Sequence, residues 1–325
     1  MSDPFDPESG RAEQPRQEDV SFDLDWTLSS VVMLQAGIPD DAFTASLLGT
    51  ERAGHGVIIN DDGLVLTIGY LITEADKVWL VGANGVASEA HVVAYDQATG
   101  FGLVQALQPL DLPVIDLGSS SDLNVGDPVI LAGFGGRGAS INARVISKRS
   151  FAGYWEYLLD EAIFTAPGHP NWGGAALIGE DGTLRGIGSL AIQQGAAGEP
   201  MVDGNMIVPI DLLKPILDDL RTLGRTRKPP RPWLGMYTTE ADGRLIVTGL
   251  AVNGPAHDAG VEVGDFVTAV GDTKVADLAT LYRTYWAMGD PGIEVPLTVL
   301  REGERINVAI RSIDRAELLS SPRLH

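Results

Sequence analysis

Between residues 29 and 208 the apolar residues are cut into runs too short for helices: Val31-Val32-Met33-Leu34, Gly56-Val57-Ile58-Ile59, Leu64-Val65-Leu66, Val78-Trp79-Leu80-Val81 and Val129-Ile130-Leu131-Ala132. Turn pairs such as Asp62-Gly63, Asn84-Gly85 and Asp181-Gly182 separate them. Short β-branched runs divided by such pairs at even spacing are the pattern of hairpins in an all-β barrel. The first long helical pattern comes only at residues 211–223, where Leu212, Leu213, Ile216, Leu217 and Leu220 share one face. It closes the first region.

Charge narrows the function. Forty-four acidic against 23 basic residues leave a net charge of −21, which repels phosphate backbones and anionic lipid surfaces. No nucleic-acid or membrane partner is expected. The chain has no cysteine, which excludes disulfides, thiolate catalysis and Cys-based zinc sites. Residues 1–25 are rich in Asp, Glu and Pro, lack the basic start and apolar run of a secretory signal, and read as a disordered acidic tail. No stretch of eighteen uninterrupted apolar residues occurs, so no membrane-spanning helix is expected. The location expected from these features is the cytoplasm.

After residues 26–220 the composition changes abruptly. Residues 221–232 hold five basic residues and three prolines with no acidic one, and read as a solvated hinge rather than a site for an anionic partner. Strands resume over residues 233–313, interrupted by one helical stretch at 277–288, which describes a small α/β domain. Residues 314–325 form a tail.

Three stretches of the first region, in order, carry a resemblance: Gly54-His55-Gly56-Val57-Ile58-Ile59 with Asp62-Gly63-Leu64-Val65-Leu66-Thr67, then Asp96-Gln97-Ala98-Thr99, then Asn171-Trp172-Gly173-Gly174. Leu117-Gly118-Ser119 and Val125-Gly126-Asp127-Pro128-Val129 fit the same order. Together they resemble HtrA-type trypsin-like serine proteases, which implies a double β-barrel. In that family a His follows the first stretch, an Asp the second, and the nucleophilic Ser stands inside the third; here the corresponding places hold Tyr70, Gly100 and Trp172. Acyl transfer needs an activated oxygen, a base with a pKa near neutrality and a carboxylate to orient that base. Trp172 has no nucleophilic oxygen, a phenol with a pKa of about 10 is a poor base, and Gly100 has no side chain. The expectation is therefore an inactive homologue, a pseudoprotease; the alternative is a serine-type endopeptidase with a rearranged active site.

No replacement chemistry stands out. His55, His91 and His169 lie on different segments without metal-ligand spacing, and Ser119-Ser120-Ser121 reads as a serine-rich turn. Neither a metal nor a cofactor is expected.

In the second region Gly254-Pro255-Ala256, Ala259-Gly260-Val261, Val263-Gly264-Asp265, Val270-Gly271 and Val299-Leu300-Arg301-Glu302-Gly303 resemble the PDZ domain of HtrA proteins. A PDZ domain takes an extended C-terminal peptide as an added strand and holds its carboxylate on successive backbone N–H groups. The resemblance puts that loop at Trp233, Leu234, Gly235 and Met236, and the helical spacing of Leu278, Leu281, Tyr282 and Tyr285 points to Leu281 and Tyr285 as groove residues. The expected partner is a polypeptide or protein C-terminus ending in a hydrophobic residue. The resemblance also implies a homotrimer or a mixed assembly with active relatives.

Overall fold

The computed structural model describes residues 13–194 and 201–320. They form two compact units. The first holds residues 13–149 and most of 161–226, and the second joins residues 150–160 to 227–319.

In the first unit six strands, β1 (Val31–Gly37), β2 (Glu51–Ile58), β3 (Leu64–Ile68), β4 (Lys77–Val81), β5 (Ala87–Tyr95) and β6 (Phe101–Ala106), close a barrel in the order β1-β2-β3-β6-β5-β4. A second barrel closes from β7 (Pro128–Ala132), β8 (Ser140–Gly153), β9 (Tyr157–Ala166), β10 (Ala176–Ile178), β11 (Leu184–Gln194) and β12 (Val202–Pro209), in the order β10-β11-β12-β9-β8-β7. Each turn pair read from the sequence joins adjacent strands: Asp62-Gly63 links β2 to β3, Asn84-Gly85 links β4 to β5, and Asp181-Gly182 links β10 to β11. All five residues of β3 are buried, whereas β4 alternates. Every strand of a closed barrel turns one face inward; the outer face of β3 is covered as well, by β11 among others, whereas that of β4 is not. The second barrel is filled by Leu123, Val129, Leu131, Ile141, Val145, Ile163, Leu177 and Ile207.

Two expectations fail in this unit. Residues 13–25 are not an extended tail: Gln17–Asp19 makes a 3-10 turn and helix α1 (Leu24–Leu28) buries Leu24 and Leu28, with Asp23 accepting from the Trp26 N–H as its N-cap. Residues 1–12 lie outside the described residues. A short α2 (Ala45–Leu48) follows β1. The single helix read at 211–223 is a 3-10 turn, Ile210–Leu212, followed by α3 (Leu217–Leu223). Pro215 separates the two, because it has no N–H to donate and disfavours helical geometry at Lys214. Gly224 ends α3 in a left-handed conformation, so the first three residues of the expected hinge are helical.

The second unit contains a five-strand path, β14-β15-β16-β18-β19, with a short β17 against β16. In chain order the elements are β13 (Pro232–Trp233), β14 (Met236–Ala241), β15 (Arg244–Leu250), α4 (Pro255–Asp258), β16 (Phe266–Val270), β17 (Thr273–Lys274), α5 (Leu278–Trp286), β18 (Glu294–Arg301), β19 (Glu304–Arg311) and β20 (Ile313–Asp314). β13 pairs with β20, so residues 313–314 belong to the fold rather than to a free tail. α5 buries Leu278, Leu281, Tyr282 and Tyr285 against Leu234, Met236, Val247, Val267, Val295, Val299 and Ile310. Each such side chain contributes roughly 1.5–3 kcal/mol. A boundary at residues 221–232 would place residues 150–160 in the first region, yet Leu158 lies in this same core.

Candidate functional site

β3 runs into the 3-10 turn Gly69–Leu71, which turns Tyr70 out of the first barrel. Its hydroxyl donates to the Ser189 carbonyl at 3.1 Å. Burial pushes the phenol up to about 12, offset in part by a hydrogen bond with the Trp172 side chain. An added Cβ on Gly173 would stand 2.8 Å from the Tyr70 hydroxyl, so Tyr70 and the loop carrying Trp172 are neighbours. Gly100 lies beside them: its carbonyl accepts from the Gly69 N–H at 2.7 Å, and the Asp96 carboxylate braces the preceding turn by accepting from the Thr99 N–H and hydroxyl. The fold brings the three sequence positions together, and the side chains there carry a phenol and an indole.

The loop carrying Trp172 is held from both sides. The His55 N–H donates to the Gly173 carbonyl at 2.9 Å, and the Gly174 N–H donates to the Gly188 carbonyl at 2.9 Å. Gly174 has φ +79°, and an added Cβ would stand 1.9 Å from the His55 carbonyl oxygen, so only glycine fits. Pro170, two residues before Trp172, has no N–H, which removes one of the two donors that an oxyanion hole takes from these positions.

His55 is buried. Its Nδ1 accepts from the Phe134 N–H at 3.1 Å, while among the described residues no partner meets its Nε2 at good hydrogen-bond geometry, with the Asn171 backbone as a polar influence on the ring. Burial, with the nearby His169, pulls the imidazole down to about 4. The two rings are 6.4 Å apart and perpendicular. His91 stands apart on β5, and the Ser119 and Ser121 hydroxyls bond each other at the 3-10 turn Ser120–Asp122. Among the described residues no three metal-ligating side chains converge.

The second unit holds the other candidate. Trp233, Leu234, Gly235 and Met236 lead from β13 into β14, an edge strand of the sheet. Gly235 has φ +73° and faces the Trp233 ring, which an added Cβ would approach to 2.9 Å. That conformation aims consecutive backbone N–H groups to one side, a nest for an anion. A carboxylate occupies it. The Leu234 N–H donates to Glu156 Oε2 at 2.9 Å and the Met236 N–H to Oε1 at 3.0 Å, and the Tyr285 hydroxyl donates to Oε2 at 2.6 Å. Burial raises the Glu156 carboxyl above its ordinary range, opposed by these hydrogen bonds.

Of the residues expected in the groove, Leu234, Gly235, Met236 and Tyr285 converge on this one carboxylate. Trp233 packs beside it through Gly235, and Leu281 is fully buried in the core of the unit. Sequence reasoning missed Glu156, Tyr154 and Tyr282. The Tyr154 carbonyl accepts from the Thr238 N–H at 3.1 Å, and the Tyr282 hydroxyl donates to the Gly153 carbonyl at 2.8 Å. Nothing local in Tyr154-Trp155-Glu156 signals a ligand; only the pairing of a distant carboxylate with the loop does.

Residues 54–187 match the family described as trypsin-like peptidase domain, and residues 232–311 match the PDZ domain. The chain is 26% identical over 270 residues to the serine endoprotease DegS of Haemophilus influenzae, covering 81% of this chain and 77% of that protein. The chain joins a trypsin-like peptidase domain to a PDZ domain and is homologous to the DegS and DegP (HtrA) proteases. It is also 25% identical over 272 residues to a probable periplasmic serine endoprotease, DegP-like, of Pseudomonas fulva, covering 78% of this chain but only 54% of that longer protein. Among solved structures, the HtrA-type protease AlgW with decapeptide superposes with a TM-score of 0.53 at 19% identity, covering 92% of this chain and 98% of that one. The same protease with tripeptide gives a TM-score of 0.51 at 20% identity, covering 92% and 97%. These likenesses bear out the double β-barrel followed by a PDZ domain.

Two expectations are corrected here. The chain was expected to be no enzyme, from the residue types at Tyr70, Gly100 and Trp172; its relatives are named serine endoproteases, and nothing in the comparisons shows inactivity. The expected cytoplasmic location is overturned by relatives described as periplasmic. Net charge and an acidic start carry no compartment signal that could outweigh that.

Proposed function

We propose that this HtrA-type protein binds polypeptides by their C-termini in the PDZ groove formed by Trp233, Leu234, Gly235, Met236 and α5. One observation carries the reading: the Leu234 and Met236 N–H groups hold a carboxylate in bidentate fashion, with the Tyr285 hydroxyl as a third donor. Charge-assisted bonds to backbone N–H groups are the way a terminal carboxylate is captured. The outer edge of β14, where the Thr238 N–H meets the Tyr154 carbonyl, has main-chain groups of the kind an added strand uses, and the AlgW structures, with tripeptide and with decapeptide, are consistent with such a groove. The test is fluorescence polarisation of the full chain with a labelled peptide bearing a free, hydrophobic C-terminal residue, beside the same peptide as its C-terminal amide. Binding of the acid and not the amide supports the reading; equal binding of both removes the carboxylate from it.

A second reading, serine-type peptide-bond cleavage, rests on the descriptions of the relatives. It requires a constellation other than Tyr70, Gly100 and Trp172, which supply neither an aliphatic hydroxyl nor an imidazole. Hydrolysis of unfolded casein by purified protein, with activity following the protein peak, tests it; absence of turnover removes cleavage from the proposal. Assembly as a homotrimer or with active relatives is part of the same proposal and is read from the mass in solution by light scattering.

A further inference from the structure

The carboxylate in the PDZ loop comes from the chain itself. Tyr154-Trp155-Glu156 is the turn between β8 and β9, and residues 150–160 belong to the same compact unit as the loop. Three features of its seating copy a bound peptide. Glu156 puts both carboxylate oxygens on the Leu234 and Met236 N–H groups. Two residues earlier the Tyr154 carbonyl accepts from Thr238 on the outer edge of β14, the main-chain bond an added strand would make. Glu156 is only 6% exposed, and its side chain fills the place of a chain end. The turn is also held from α5, where the Tyr282 hydroxyl donates to the Gly153 carbonyl and receives the Glu156 N–H, and Arg283 pairs with Asp160 at 2.6 Å.

Glu156 reaches the loop at a conformational cost. Its φ is +61°, a left-handed backbone that non-glycine residues adopt only when surrounding contacts compensate. Turn chemistry alone favours Gly or Asn there. A glutamate held in that conformation with its carboxylate buried among three donors is a ligand presented to a site.

We infer that the β8–β9 turn is an internal ligand of the PDZ groove, with the Glu156 side chain standing in for a peptide's C-terminal carboxylate, so that a polypeptide must displace it to bind. This rests on the C-terminal-peptide reading above. The apparent affinity for a peptide is then the intrinsic affinity reduced by the fraction of molecules with an open loop.

The experiment uses the full chain, unaltered and as Glu156→Ala, titrated into fluorescein-labelled Gly-Ser-Gly-Tyr-Trp-Phe with a free carboxylate and, separately, as the amide. Hydrogen exchange of the Leu234 and Met236 amides is followed without peptide. The expected result is at least about a tenfold gain in affinity for the acid in Glu156→Ala, with both amides exchanging faster. Should Glu156→Ala fail to fold, Tyr282→Phe, which unhooks the turn from α5 but leaves the loop intact, carries the same test with a smaller gain. Equal affinity in all variants, with the acid still preferred over the amide, would overturn the internal ligand and leave the peptide groove standing. No binding by any variant, together with amide protection that disappears in Glu156→Ala, would overturn the peptide reading while keeping Glu156 as the occupant of the loop. No binding with unchanged protection would overturn both.

Discussion

The hydroxyl of Tyr285 stands 2.6 Å from a carboxylate oxygen of Glu156, 129 residues earlier in the chain. Both side chains are buried, so this bond stands in a low-dielectric setting where an unmet partner is costly. Tyr285→Phe keeps the ring and removes the donor. The second unit is expected to lose about 1–3 kcal/mol of stability, measured by urea unfolding of the full chain followed through tryptophan fluorescence. A loss below a few tenths of a kcal/mol would mean that the carboxylate does not depend on Tyr285.

Gly174 ties the loop of Trp172 to the first barrel. Replacing it by Ala places a Cβ 1.9 Å from the His55 carbonyl oxygen at φ +79°, and backbone rather than a flexible side chain must move. The left-handed penalty alone is about 1–2 kcal/mol, and the clash adds to it. Gly174→Ala is expected to destabilise the first unit by more than about 2 kcal/mol, read from the thermal unfolding midpoint.

His55 makes stability fall on acidification before most carboxylates titrate. Its folded pKa is depressed from 6.5 to about 4, so the unfolded chain binds a proton that the folded chain refuses. The stability tied to the neutral ring is complete above pH 6.5 and is lost as pH falls towards 4, at up to about 1.4 kcal/mol per pH unit. Urea unfolding at several pH values is expected to show a flatter acid slope in His55→Gln than in the natural chain. Parallel slopes would place the imidazole in contact with water.

Asp277 caps α5 by accepting from the Thr280 N–H and hydroxyl, both at 2.7 Å. Asp277→Ala is expected to cost about 1 kcal/mol, and Asp277→Asn much less, in the same unfolding assay. Equal losses in both would point to charge rather than the cap.

What the sequence disclosed and what it concealed divide along chain separation. Asp62-Gly63, Asn84-Gly85 and Asp181-Gly182 announced their hairpins because a two-residue turn is decided by the residues in it. Spacing alone marked Leu278, Leu281, Tyr282 and Tyr285 as neighbours on α5, but it did not separate groove from core: Leu281, expected in the groove, is fully buried in the core with the rest. Periodicity misled at residues 211–223, where Pro215 outweighed an apolar face that looked continuous. Glu156 was invisible: its role depends on donors 78 and 80 positions away at Leu234 and Met236, and no local pattern encodes such a meeting. For the same reason the residue types at Tyr70, Gly100 and Trp172 could be read directly, whereas activity could not.

A ligand that is part of the chain can be neither washed away nor diluted. Tethering sets its local concentration at the order of millimolar for a short connection, whatever the amount of protein. Passing, weakly held chain ends are therefore turned away, and only tails that outcompete the turn at their own abundance gain entry. The left-handed Glu156 gives the groove a built-in admission threshold, one that a single substitution at this residue would raise or lower.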